Sequence, residues 1–280
     1  MDFNRMLHEK KFYLAVLLSV AAIIAGTTWP ETKKDVPLTS GTFLELLNSS
    51  LQSQTVLFVL PLAAMLPCGE EYLREKDSHF LRFLIIRNAA QTRSVFQMRR
   101  DLPSPGGILA LRAGYPPSRA RGRFPRSKVV YCLDKVVTTA LSGAIVWLLG
   151  AFFAGLFFFL LFFSREALWN WPMNTIFTLL ATLGRILLSA SSLASLSAVA
   201  GVLGGSVYLA FGVPFLLWYA CIILRERYFE TLYCIDPTEW ILAENDWGNN
   251  QMGLWIFLLI LALFCAALHW IVLDGKLREI

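Results

Sequence analysis

Glu70, Glu71 and Arg74 are the residues whose types and spacing come nearest to catalysis in this sequence. A carboxylate pair answered by an arginine can activate water in an intramembrane protease, but that chemistry asks for three residues between the pair and the arginine, and for histidines on later spans. Here the arginine arrives one residue early, Glu75 stands where it should be, and the later histidines are His79 in the same loop and His269 near the chain's end. No Ser/His/Asp set can be assembled, and His269 on an apolar helix reads as a packed histidine. Cys68, Cys132, Cys221, Cys234 and Cys265 form no CxxC pair, so neither a zinc site nor a disulfide framework is expected. There is no GxxxxGK[ST] loop to cradle phosphate. The chain is therefore expected to be no enzyme, with no cofactor or metal of its own, and any ATP is left to a partner.

The elements that carry these residues are set by the solvent. Of 280 residues, 56% are hydrophobic and 16% charged, and the mean hydropathy is +0.55, outside what a wetted globular surface tolerates. The net charge of +5 and pI near 9.0 match a positive-inside membrane protein, and no nucleic-acid partner is expected. A hydrocarbon core of about 30 Å takes about 20 apolar residues per helix. Residues 12–29 form an uncharged run ended by Pro30; preceded by Arg5, Lys10 and Lys11 and followed by further spans, they read as an uncleaved anchor. Residues 51–68, with Pro61 and Pro67, form a second and weaker run, and 136–163 a long third one with an aromatic belt at Trp169 and Trp171.

Residues 173–224 carry Arg185 as their single charge and are too long for one crossing. A break near Gly204, Gly205 and Ser206 divides them. Because an arginine in mid-bilayer is costly, 173–184 are expected to lie at the interface or to dip in and return, with the fourth span at 186–203 and the fifth at 207–224. The sixth is 252–273. The expected fold is thus an all-α integral membrane protein with six transmembrane helices. With both termini cytoplasmic, inner segments hold 19 of the 25 Lys and Arg, and Cys234 is the cysteine facing outside. Along 173–205, Ser189, Ser191, Ser192, Ser195, Ser197, Gly201 and Gly205 set small residues on a helix, and the Gly201/Gly205 pair is expected to serve close packing.

The large polar loop, residues 69–135, falls in two parts. Its first part opens with acids suited to a helix N-terminus and then sets Phe80, Phe83, Leu84 and Arg87 at helical spacing, an amphipathic helix at the cytoplasmic surface. Its second, 94–128, holds five prolines, four glycines and eight Lys/Arg, among them Arg119, Arg121, Arg123 and Arg126, against the single acid Asp101. Such a composition cannot form a core. It reads as a disordered basic insertion or as sequence translated out of frame, with a basic arm for lipid headgroups or RNA as the other reading.

Several of these segments resemble the permease subunits of type-2 ABC exporters from Gram-positive bacteria. The resemblance lies in residues 68–87 with Glu70, Glu71, Tyr72 and the Phe80 to Arg87 pattern, in 135–143 (KVVTTALSG), in 214–228 (PFLLWYACIILRERY) and in 232–240 (LYCIDPTEW). It covers most of the chain through diffuse patterns, and residues 94–128 look inserted against it. It implies a permease in the bacterial plasma membrane that pairs with a second permease copy and with ABC ATP-binding subunits. Glu70, Glu71, Tyr72, Phe80, Phe83, Leu84 and Arg87 would then form the coupling helix that seats on the ATPase. The competing expectations are a stand-alone secondary transporter or channel, which usually keeps ionisable residues at the midplane, and a membrane scaffold or sensor.

Overall fold

A computed structural model describes residues 8–27, 42–69, 73–75, 128–162, 172–229, 231–248 and 251–279. Among the described residues every regular element is helical: α1 (Lys10–Ala25), α2 (Thr42–Leu51), α3 (Gln54–Met65), α4 (Lys128–Phe162), α5 (Met173–Gly204), α6 (Val207–Tyr228), a 3-10 turn (Tyr233–Ile235), α7 (Glu239–Leu242) and α8 (Met252–Glu279). Four of them, α4, α5, α6 and α8, are long and apolar enough to cross a membrane.

The elements in place of the first two expected spans are shorter. α1 has 16 residues and α3 has 12, about 24 Å and 18 Å at the α-helical rise, against a hydrocarbon core of about 30 Å. α3 packs against α1, α4, α5 and α6, and Val56, Leu60, Ala63, Ala64 and Met65 are all 0% exposed. A helix so enclosed can be short and can carry Pro61, because protein rather than lipid surrounds its freed backbone groups. Leu51, expected to open the second span, instead closes α2, and Ser53 caps α3 by accepting a hydrogen bond from the Val56 amide at 3.4 Å.

α5 is the central helix. In its most apolar window 72% of residues are buried, against 17–33% in the other three long helices, and it touches α2, α3, α4, α6, α7 and α8. Small residues allow this. A Cβ on Gly143 of α4 would stand 2.7 Å from the Ala190 carbonyl oxygen and 2.9 Å from the Ala194 Cβ of α5, so the two backbones approach as only glycine and alanine permit. Lipid tails are as apolar as leucine, so this close van der Waals fit rather than exclusion of water holds such helices together. The outward faces of α4, α6 and α8 present Phe152, Leu160, Leu216, Leu263 and Ile271, each more than 60% exposed.

The structure bears on two expectations about 173–205. The segment 173–184 is no separate re-entrant element: α5 runs unbroken for 32 residues through Gly184 and Arg185. Arg185 is 7% exposed; its Nη2 reaches Thr182 on its own helix, Gln52 from the α2–α3 link bonds the same Thr182 oxygen, and α7 packs on α5. At the other end Gly205 has φ +59 and open space where its Cβ would be, so it ends α5 as a left-handed cap and packs against nothing. Gly201 does lie at a close contact, 3.0 Å from its would-be Cβ to the Gly69 carbonyl oxygen.

The bundle has two distinguishable ends. At one, Lys135, Gly69, Gly201 and His269 come together; Glu9 pairs with Arg74 at 2.7 Å, and Leu273 and Leu277 pack with Tyr131 and Cys132. The first and last described residues therefore share the Lys135 end. At the other, α1 ends at Gly26 against Ser53, Gly184 meets Trp255, and α7 packs on α5 near Arg185.

Candidate functional site

α4 opens with Tyr131 and Lys135 one turn apart on one face, and α8 presents His269 and Leu273 with the same spacing. Between them the chain leaving α3 turns through Cys68 and Gly69, and a helical turn at 73–75 follows. The sequence thus brings three separate segments to one end of the bundle. Their meeting point holds an ion pair with both partners buried.

Lys135 Nζ donates to Glu75 Oε1 at 2.7 Å, with both side chains about 6% exposed. The Tyr131 hydroxyl donates to Glu75 Oε2, also at 2.7 Å, and the ammonium group stands 5.9 Å from the Tyr131 ring centroid. Both carboxylate oxygens are thus used. Burying two ions costs several kcal/mol each unless geometry and further hydrogen bonds repay it, and here the tyrosine supplies the second bond. Beside the pair lies a cavity of about 20 Å³ lined by Cys68, Gly69, Tyr131, Lys135, Thr139 and His269 among others, room for a single water. His269 is 3% exposed, and its Nδ1 has no hydrogen-bond partner among the described residues.

The hydroxyls nearby are committed to structure. Ser142 donates to the Thr139 carbonyl at 2.7 Å and meets Cys68 Sγ at 2.6 Å, while Ser197 donates to the Ala210 carbonyl at 2.8 Å and so ties α5 to α6. No group of three metal-ligating side chains occurs among the described residues. What this arrangement can do is hold: it fixes the segment leaving α3 to α4 through an ion pair that water cannot easily dissociate.

Glu70, Glu71, Tyr72, Phe80, Phe83, Leu84 and Arg87, the expected coupling residues, lie outside the described residues, as does the basic stretch 94–127. Of the residues that do assemble, His269 reads in the sequence as a packed histidine and Lys135 as the start of KVVTTALSG, and nothing there pairs Glu75 with Lys135 or Tyr131. Glu75 was the residue that spoiled a protease spacing, and Lys135 was the last residue of a loop. The signal is Tyr131 and Lys135 at i, i+4 just ahead of an apolar run, with Glu75 ten residues after the preceding helix.

The Arg185 end is polar as well. Arg185 Nη2 donates to Thr182 Oγ1 at 3.1 Å, and that oxygen also accepts from Gln52 Nε2 at 3.3 Å. The segment after α6 folds back over this end. Asp236 Oδ1 accepts from the Thr238 amide at 2.9 Å and its hydroxyl at 2.7 Å, and Glu239 Oε1 accepts from the Asn245 amide at 2.7 Å and Trp247 Nε1 at 3.3 Å. Trp218, Trp240, Phe257 and Trp247 form a chain of ring contacts along it, T-shaped between the first two and tilted between the others, with centroids 5.6 to 5.9 Å apart.

Comparison of the chain with family models, with curated proteins and with solved structures finds no match.

Proposed function

We propose that this chain is the membrane-spanning permease subunit of an ATP-driven exporter in a bacterial plasma membrane, working with a separate ATP-binding subunit and a second permease copy. The observation that carries the reading is the Glu75–Lys135 pair. Glu75 lies between Glu71 and Phe80, inside the stretch expected to seat on an ATPase, and it is clamped to α4 at 2.7 Å. A push on that stretch is delivered to α4 through a buried ion pair, and to α8 through the contacts of Tyr131 with Leu273 and Leu277. Such a link is what conversion of ATP binding into rocking of the spans requires.

In this reading α1 and α3 complete six crossings, with both termini in the cytoplasm. The positions of their ends support it: α1 leads from Glu9 at the Lys135 end to Gly26 beside Ser53 at the other, and α3 returns from Ser53 to Gly69. Lys10 and Lys11 can snorkel to headgroups and make up for the short α1. The substrate expected is peptidic, lipid-like or drug-like.

The test is a mild-detergent pull-down of the tagged chain followed by mass spectrometry. An ATP-binding subunit should co-purify in stoichiometric amount and be lost on Phe80→Ala with Phe83→Ala. Adding Glu71→Lys should leave ATP hydrolysis in any residual complex uncoupled from transport.

A second reading, a stand-alone transporter, is favoured by Arg185 and His269, ionisable side chains buried at 7% and 3% exposure within helices. It predicts a chain that purifies alone and moves substrate in vesicles without ATP.

A further inference from the structure

Arg185 is the buried charge that the coupling scheme leaves without a task. It lies about 18 Å along α5 from the helix start, at the bundle end where α1 closes and α8 begins, and is 7% exposed. Its surroundings are unbalanced in one direction. Nη2 has Thr182 Oγ1 as its acceptor, but that oxygen is shared with Gln52 Nε2, and Nε is buried with no hydrogen-bond partner. One turn further on, the Ser189 hydroxyl is 0% exposed and equally without a partner. Trp218 Nε1, from α6, is a third buried orphan; its indole packs in the same apolar cluster as Ile186 and meets the ring of Trp240 at 5.9 Å.

Two of these orphans can only donate, and the hydroxyl can donate as well. Glu239, next in sequence to Trp240 and buried on α7 where it packs against α5, makes no ion pair with Arg185 within 4.0 Å; its Oε1 accepts from the Asn245 amide at 2.7 Å and from Trp247 Nε1 at 3.3 Å. A guanidinium with an unused donor of its own, further unused donors one turn along α5 and on the adjoining α6, and no carboxylate in ion-pair range is matched by an oxyanion. It accepts several hydrogen bonds at once and repays the desolvation of the arginine.

We infer that Arg185, Ser189 and Trp218 form a binding site for the oxyanion of an anionic ligand, a phosphate or carboxylate. The inference does not rest on the ATP-driven reading, since a charged ligand could be a bound lipid or a substrate under either scheme.

The experiment uses the full chain in a neutral detergent. Thermal stability and native mass spectrometry follow titration with short-chain phosphatidylglycerol, with phosphatidylcholine of the same chains, and with sodium phosphate. Phosphatidylglycerol should bind and raise the melting temperature, and phosphatidylcholine should not. Arg185→Gln should weaken binding roughly tenfold or more, as loss of a hydrogen bond to a charged group does, and Ser189→Ala a few-fold. Glu239→Gln should tighten it by removing a buried negative charge. Sodium phosphate that protects through the same residues assigns the site to a free oxyanion; protection by the amphiphile alone assigns it to a headgroup. Should Arg185→Gln fail to fold, the Ser189 and Glu239 variants decide. Equal binding in all variants, or binding lost on Glu239→Gln, overturns the site.

Discussion

Glu75 and Lys135, 60 residues apart in the chain, meet at 2.7 Å with both side chains almost wholly buried. Removing either partner strands the other's charge. Glu75→Gln or Lys135→Met should each lower the unfolding free energy by about 3–5 kcal/mol, while the double replacement Glu75→Leu with Lys135→Met should recover most of that loss. Tyr131→Phe should cost less, about 1.5–3 kcal/mol, since it removes one bond to a charged acceptor. Detergent-phase thermal melts of the single and double variants measure the coupling, and additive losses would mean that the pair is open in solution.

Glycines separate by what stands where a side chain would go. Gly143→Ala drives a methyl to 2.7 Å from the backbone oxygen of Ala190, which no rotamer change relieves, and should destabilise by about 1–3 kcal/mol. Gly212→Ala meets nothing within 4 Å on α6 and should be neutral or stabilising by up to about 1 kcal/mol through helix propensity. The same melts check both. Equal effects at the two positions would argue against the α4–α5 contact.

Hydropathy made α4, α6 and α8 legible, because their outward faces meet lipid and stay uniformly apolar. It could not settle α1 and α3, whose lengths depend on neighbours that shelter their ends. Arg185 shows why the rest was hidden. Bilayer cost alone argues for an interface and a broken helix there, whereas its burial at 7% exposure within an unbroken α5 follows from the packing of neighbouring helices, which the sequence does not display. The Lys135 site was obscured in the same way: Glu75 and Lys135 each read as loop charges until the fold brings them together. Gly205 was read for spacing, as the end of a GxxxG, when its backbone conformation is what needs glycine.

Cysteine accessibility tests the proposed orientation. Cys234 is partly exposed in the segment covering the Arg185 end, whereas Cys68 is 3% exposed. An impermeant maleimide should label Cys234 in intact cells. Cys68 should stay unlabelled even after permeabilisation, so it cannot serve as the cytoplasmic marker. Arg278→Cys can, since the side chain it replaces is 75% exposed; it should react only once the membrane is opened. Labelling of Arg278→Cys in intact cells would invert the topology.

Asp236 organises the fold-back over the Arg185 end. One of its oxygens holds the Thr238 amide and hydroxyl and the other lies 3.7 Å from Arg225, so Asp236→Ala removes the bonds that start the turn into α7. About 1–3 kcal/mol of local stability should be lost, less than the whole fold commands, so the segment should open while the bundle stays assembled. The expected readout is faster labelling of Cys234 with little change in the global melt. The same variant should speed association of phosphatidylglycerol if the segment carrying Glu239 governs access to Arg185. Unchanged labelling would place the hold on this segment in its aromatic stack, and Trp240→Ala would then be the variant that releases it.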